Sequence, residues 1–286
     1  MTLEEWVRRG EARLRQGPHP ERARRDAETL LLYVIRRERA ALLARWKERL
    51  DEVEAEDYAR LVERRMAGEP LQYILGETEF YGLPFRVNPD VLIPRPETEH
   101  LVEKALELAS HIDAGCEGPR IADIGTGSGA IAVTLAHGLD AARVTAVDLS
   151  AAALLVARQN AERNGVADRI RFLRGDLLEP VAGERFEMVV SNPPYVSRAE
   201  QPSLPVEVRE YEPPMAIFAG ADGLEIYRRL IPAAFEALEP GGFLLLEIGC
   251  GQEPAVTALL VYSAYHRIEF VPDLQGIPRV AVAQRP

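Results

Sequence analysis

The chain has 286 residues, 47% of them hydrophobic and 28% charged, with a formal net charge of −11. That mix can bury a real core, which excludes a wholly disordered chain and a disulfide-stapled miniprotein. The acidity is uneven: residues 1–70 carry 16 Lys+Arg against 15 Asp+Glu, and residues 71–286 carry 18 against 30. A large acidic domain grips duplex phosphates poorly, so no direct DNA binding is expected.

Two cysteines, Cys116 and Cys250, stand far apart and form no CxxC pair. A disulfide framework and a structural zinc are therefore not expected. No apolar run approaches the length of a membrane span, and MTLEEWVRRGEARL has no signal-peptide core. The expectation is a reduced, cytoplasmic protein with no membrane partner.

Residues 1–67 read as helices. Leu3, Trp6, Val7 and Leu14 follow helical spacing, as do Ala23, Ala27, Leu30, Leu31, Val34 and Ile35, then Leu61, Val62 and Met66. Pro18 and Pro20 separate the first two helices, and short loops predict a small bundle over residues 1–70. Residues 71–95 read as a hairpin-like linker, with two extended runs of EFYGLPFRV about Gly82-Leu83-Pro84. Pro96 opens a helix and begins the main domain, 96–286.

From Arg120 strands and helices alternate. RIADI, RVTAVDLS, RIRFLRGD, FEMVV and GGFLLLEIG read as strands. AIAVTLAHGL, AAALLVARQNAERNG, LEIYRRLIPAAFEAL and EPAVTALLVYSA read as helices. Repeated βα units predict a parallel sheet covered on both faces. The last two strands, HRIEFVPD and RVAVAQR, have no helix between them and should pair antiparallel.

Asp123-Ile124-Gly125-Thr126-Gly127-Ser128-Gly129 follows a strand and opens a helix. Glycines let a ligand approach the backbone, and the helix N-terminus offers free N–H groups. Asp148 ends the next strand, where an acid can bind two ribose hydroxyls. The loop reads either as a loose GxGxxA dinucleotide fingerprint (Gly125, Gly127, Ala130) or as the DxGxGxG of S-adenosylmethionine methyltransferases. Asp123 and the third glycine favour the second. Asp176 follows the third strand, where methyltransferases of this fold contact adenine, though such a residue taken alone is more often just a turn aspartate.

Ser191-Asn192-Pro193-Pro194-Tyr195 ends another strand, where open α/β sheets bind ligands. Beside a DxGxGxG loop, NPPY resembles methyltransferases acting on planar nitrogens, either exocyclic base amines or side-chain amides. Such a nitrogen is a poor nucleophile because its lone pair is delocalised. The Asn192 side-chain oxygen and the Pro193 carbonyl can accept its two N–H groups and aim the lone pair. Orientation of that kind reaches on the order of 7–11 kcal/mol in well-aligned systems. Tyr195 offers a flat face to a planar acceptor.

Other chemistry is weakly signalled. The five histidines have no metal-ligand spacing, and GxSxG and GxxxxGK[ST] are absent, so no metal is expected. Glu247 ends LLLE on the cofactor side of the sheet and could serve a ligand or the structure. A non-catalytic scaffold would need neither the glycine loop nor NPPY.

Several blocks carry a closer resemblance. They are QYILG (72–76), EFYGLPFRV (79–87), LIPRPETE (92–99), DIGTGSGA (123–130), VDLS (147–150), SNPPYV (191–196), YEPPMAIFAGADGLEIYRRL (211–230), LLLEIG (244–249) and DLQGIPRV (273–280). Together they are similar to the HemK-type family of peptide chain release factor glutamine-N5 methyltransferases. The resemblance implies a class I S-adenosylmethionine methyltransferase fold, a Rossmann-like mostly parallel α/β sheet, preceded by a small helical bundle. It implies S-adenosylmethionine as cofactor, S-adenosylhomocysteine as product, and the glutamine of the Gly-Gly-Gln motif in class I translation release factors as acceptor.

By the same resemblance Gly125, Thr126, Gly127, Ser128 and Gly129 hold the cofactor. Asp148 binds its ribose, Asp176 and Leu177 flank its adenine, and Asn192 touches it. The family often has an aromatic residue where Leu177 stands. Asn192, Pro193, Pro194 and Tyr195 would bind the glutamine amide, with Asn192, Pro193 and Tyr195 as the catalytic set. The helical bundle would dock the protein substrate.

Overall fold

The computed structural model describes residues 1–40, 45–112 and 118–286, so Cys116 lies outside the described residues. Two compact units result, one of residues 1–77 with 204–211, the other of 78–203 with 212–286.

In the first unit α1 (Leu3–Leu14) starts at a capping box between Thr2 and Glu5. Helix α2 (Ala23–Ile35) follows, then α3 (Glu52–Met66) with a capping box between Asp51 and Glu54, and α4 (Leu71–Leu75). Their apolar stripes meet in a core that includes Leu3, Val7, Ala27, Leu30, Leu31, Tyr58, Leu61, Val62 and Ile74. Beneath it the buried Arg65 guanidinium donates to Asp26 Oδ2 at 2.6 Å. Arg65 also pairs with Glu207 on the short helix α8 (Val206–Tyr211).

Strands β1 (Glu77–Phe80) and β2 (Leu83–Arg86), which from Thr78 onward belong to the second unit, form a separate two-stranded hairpin. Helix α5 (Pro96–Ala109) begins at the expected proline. Then come β3 (Arg120–Ile124), α6 (Ala130–Gly138), β4 (Arg143–Asp148), α7 (Ala151–Arg163), β5 (Ile170–Arg174) and β6 (Phe186–Ser191). Helix α9 (Glu225–Ala237), β7 (Leu238–Glu247), α10 (Glu253–Tyr262), β8 (His266–Pro272) and β9 (Pro278–Gln284) complete the chain.

The seven strands lie in the order β5-β4-β3-β6-β7-β9-β8. All neighbours are parallel except β7–β9 and β8–β9, which are antiparallel as the missing helix predicts. Side chains alternate across the sheet. Ile121, Val144, Met188, Val190 and Leu245 pack with α5 and α6, whereas Ala122, Ile124, Val189, Leu244 and Leu246 pack with α9 and α10. The chain runs outward from β3 to β5, then returns to β6 on the other side of β3. The crevice at that reversal is where this architecture holds ligands.

The segment 71–95 is not the separate linker its composition suggests. Residues 71–77 belong to the first unit, because Leu71, Ile74 and Leu75 carry apolar side chains into its core. The hairpin belongs to the second. Phe80 and Phe85 stack edge to face at 6.0 Å and are buried in the sheet's core. Buried Asn160 of α7 exchanges hydrogen bonds with both backbone groups of Arg86 and donates to the Ser128 carbonyl at 2.8 Å. The hairpin's turn falls at Tyr81-Gly82, with φ of 52° and 73°, rather than at Gly82-Leu83-Pro84. Pro84 sits inside β2.

Candidate active site

A single cavity in the second unit collects most of the residues singled out by the sequence. It is lined after β3 by Gly125, Thr126, Gly127 and Ser128, after β4 by Asp148, after β5 by Asp176 and Leu177, and after β6 by Asn192, Pro193 and Pro194. Thr98, Leu92, Pro94, Met215 and Ile226 supply further wall. Gly129 and Tyr195 are not among its lining residues.

The glycine loop is built to leave space. Gly125 and Gly127 have φ of 74° and 56°, in the left-handed region that disfavours a side chain. A Cβ at Gly125 would meet no atom within 4 Å, and one at Gly127 only the Gly125 carbonyl oxygen at 4.0 Å. Any side chain there would project into the cavity itself, so the floor is a cradle for a ligand. Gly129 differs: its Cβ would stand 3.1 Å from Ala157 Cβ, so this glycine serves the approach of α6 to α7.

Two carboxylates support the loop. Asp123 is fully buried, and its Oδ2 accepts from Thr126 Oγ1 at 2.6 Å and Ala132 N at 3.1 Å. Its Oδ1 has no hydrogen-bond partner. Burial, opposed by those two bonds and aided by the nearby Asp148 charge, pushes the Asp123 carboxyl up to about 7. Asp148 Oδ2 accepts from Gly127 N and Oδ1 from Ser150 N, both at 2.8 Å. Burial also raises the Asp148 carboxyl, against its backbone hydrogen bonds. Asp148 thus holds the glycine loop through Gly127 N and the turn after β4 through Ser150 N, with oxygen lone pairs left for hydroxyl donors. The donor set, the open cradle and the paired carboxylates fit a ribose-bearing, cationic cofactor. Asp176 makes a 2.5 Å ion pair with Arg229 at the rim, and Leu177 takes a left-handed φ of 48°.

Across the cavity Asn192 Nδ2 donates to Thr98 Oγ1 at 3.0 Å, and Thr98 Oγ1 donates to Glu247 Oε2 at 2.6 Å. Tyr195 donates its hydroxyl to Glu247 Oε1 at 3.2 Å. Burial drives the Glu247 carboxyl up to about 7, opposed by the Thr98 and Tyr195 hydrogen bonds. Burial and the Glu247 charge raise the Tyr195 phenol. Gln252 Nε2 holds the Tyr195 carbonyl at 2.9 Å. Tyr195 therefore presents its hydroxyl to a buried acid, where the sequence suggested a stacking face.

Sequence reasoning missed Thr98 and left Glu247 without a role. It also missed Arg95, whose guanidinium spans both oxygens of buried Glu212 at 2.7 and 2.6 Å and so joins the 92–99 and 211–230 blocks. The motif blocks carried the signal, but which of their residues pair is visible only in three dimensions. Among the described residues no group of three or more His, Cys, Asp and Glu could hold a metal.

A sheet of this order, with a glycine cradle after one strand and an acid after the next, is the class I S-adenosylmethionine methyltransferase fold. Residues 5–76 match the PrmC N-terminal domain and residues 103–207 the methyltransferase small domain. The chain is 46% identical, over 100% of its length and 99% of the relative's, to a release factor glutamine methyltransferase of Moorella thermoacetica. It is 45% identical to one of Bradyrhizobium diazoefficiens, over 96% of this chain and 92% of that one. Among solved structures, a methyltransferase from Pyrococcus furiosus shares the fold with a TM-score of 0.52 and 20% identity, over 72% of this chain and 90% of that one. The chain belongs to the release factor glutamine methyltransferase family.

Proposed function

We propose that the protein methylates the side-chain amide nitrogen of the glutamine in the Gly-Gly-Gln motif of class I release factors, with S-adenosylmethionine as donor. The full-length likeness to release factor glutamine methyltransferases supports the substrate. The observation that carries the chemistry is the Asn192 amide, whose nitrogen is committed to Thr98 and whose oxygen remains for an N–H of the acceptor.

When bound, S-adenosylmethionine supplies a methyl group on an electrophilic sulfonium. Gly125, Thr126, Gly127 and Ser128 line the cradle that holds it, Asp148 takes its ribose hydroxyls, and Asp176 with Leu177 borders its adenine. Gly129 acts indirectly, by seating the loop on α7. Asn192 Oδ1 and the Pro193 carbonyl each accept one N–H of the glutamine amide, and Pro194 stiffens the loop between them and Tyr195. That clamp orients the nitrogen and withholds solvent from it. The first unit docks the release factor, and the activity belongs to the cytoplasm, where translation factors work.

The reading is tested with labelled cofactor and three acceptors: a release factor, the same factor with its Gly-Gly-Gln glutamine changed to alanine, and adenine-containing duplex DNA. Label in the first alone is expected. Label in the DNA, or equal label in both factors, contradicts the proposal.

A further inference from the structure

We infer that Thr98 and Glu247 are positioning residues that decide which atom of the Asn192 amide faces the acceptor. The inference rests on the amide-methylating reading above. An asparagine amide has a donor end and an acceptor end of nearly equal shape, and only hydrogen bonding distinguishes them. A glutamine NH2 group needs acceptors. Were the Asn192 amide turned over, it would set one NH2 group against another and the clamp would fail.

The geometry removes that choice. A threonine hydroxyl has one proton, and that of Thr98 goes to Glu247 Oε2 at 2.6 Å. Its oxygen can then only accept from Asn192, so the nitrogen of Asn192 must face Thr98 at 3.0 Å and its oxygen must face the cavity. The other carboxylate oxygen accepts from Tyr195, three residues along the same loop. Glu247 therefore accepts on both sides as a carboxylate, and the ring Asn192–Thr98–Glu247–Tyr195 has a single polarity. Thr98 on α5 and Glu247 at the end of β7 are 3% and 2% exposed, so water does not compete for these bonds.

Stability alone does not call for this arrangement. Apolar groups of similar volume often replace a buried charged network with little or no loss of stability. A carboxylate buried behind the cavity wall and linked through Thr98 to the one amide whose direction matters answers a need for orientation.

The test compares Thr98→Val, Thr98→Ser and Glu247→Met with the unmodified protein. Steady-state rates on an intact release factor are combined with thermal melting and calorimetric binding of S-adenosylhomocysteine and of a Gly-Gly-Gln peptide. Thr98→Val releases the Asn192 amide, and Glu247→Met leaves the Thr98 hydroxyl able to donate to it or accept from it. Each is expected to lower kcat about tenfold or more, to weaken the peptide, and to leave S-adenosylhomocysteine affinity and the KM for the factor nearly unchanged. Thr98→Ser keeps the hydroxyl and should recover kcat to within about threefold. Glu247→Met leaves the Thr98 and Tyr195 hydroxyls without their acceptor and should melt earlier, so the split of kcat from KM and the recovery by Thr98→Ser, rather than melting, separate positioning from a merely structural role. Unaltered kcat and peptide affinity in Thr98→Val or Glu247→Met overturn the inference, as does failure of Thr98→Ser to recover. Absence of label with the unmodified protein overturns the acceptor reading itself, and this inference with it.

Discussion

Asn192 lies at the meeting point of the two halves of the cavity, and its substitution should separate binding from chemistry. Asn192→Ala removes the acceptor proposed for the amide, so transfer should suffer far more than cofactor binding. Its kcat should fall about 10²–10³-fold, the usual cost of losing one preorganised polar group at a reacting centre. Cofactor affinity by calorimetry should stay close to that of the unmodified protein, and near-normal turnover would exclude Asn192 as the acceptor ligand. A second expectation concerns pH. Burial penalises the charges of Glu247 and Asp123 and pushes both carboxyls up to about 7 from their ordinary values of 4.5 and 3.8. Between the ordinary and the raised values the folded protein holds protons that the unfolded chain has released. Stability from these groups therefore falls as pH rises through that window. Activity should run the other way, since Glu247 must be ionised to accept from both Thr98 and Tyr195. The groups facing it are Glu97 and Thr98 of α5, Tyr195, Tyr227 of α9 and Arg279 of β9, and none replaces that carboxylate as the common acceptor. Melting temperature should fall from about pH 4.5 to about pH 7, and rates should rise from about pH 6 to about pH 8. Glu247→Gln should flatten the rise in rate, and an unchanged profile would free Glu247 of that role. At this scale the sequence was legible where a site is written consecutively. The glycine loop and NPPY could be read directly, whereas Thr98 and Glu247 meet across a separation of 149 residues and only the strand order joins them.

The elements show why one glycine-rich loop contains two kinds of glycine. Gly125 and Gly127 leave room for a ligand, and Gly129 leaves room for α7. Gly129→Ala should cost about 1–3 kcal/mol of stability, from the left-handed φ and the crowding against Ala157. Gly127→Ala should chiefly lower cofactor affinity, because its methyl group would enter the cradle. Melting and calorimetry on the pair distinguish them. Equal loss of affinity with no loss of stability in Gly129→Ala would return that glycine to the ligand. The βα alternation was readable because each strand is a short apolar run and each helix carries an apolar stripe. The β3 run RIADI and the Pro96 helix start lie where periodicity and proline geometry put them. The hairpin turn begins one residue earlier than expected, because Gly82-Leu83-Pro84 looks like turn chemistry. A two-residue hairpin turn with φ > 0 at both positions is instead met at Tyr81-Gly82.

At the scale of the molecule, sequence order misleads about which segments fold together. Residues 204–211 join the first unit although they follow NPPY, and the buried Arg65 explains it by pairing Asp26 of α2 with Glu207 of α8. No composition rule reveals a salt bridge across 142 residues. Arg65→Met leaves the buried Asp26 carboxylate without its cation, while part-exposed Glu207 keeps Arg22 at 3.8 Å, and should destabilise the first unit by about 3–5 kcal/mol. Every cavity-lining residue belongs to the second unit, so cofactor affinity should hold while the KM for the release factor rises. A loss of cofactor affinity with an unaltered KM would contradict the division into a docking unit and a methylating unit. The central claim is that the acceptor is a side-chain amide, and it is met most directly by locating the methyl group. An intact release factor is reacted with the full-length protein and S-adenosylmethionine, digested, and sequenced by tandem mass spectrometry. The account predicts one methyl group, on the side-chain nitrogen of the Gly-Gly-Gln glutamine; a methyl group on any other residue, or none, would contradict it.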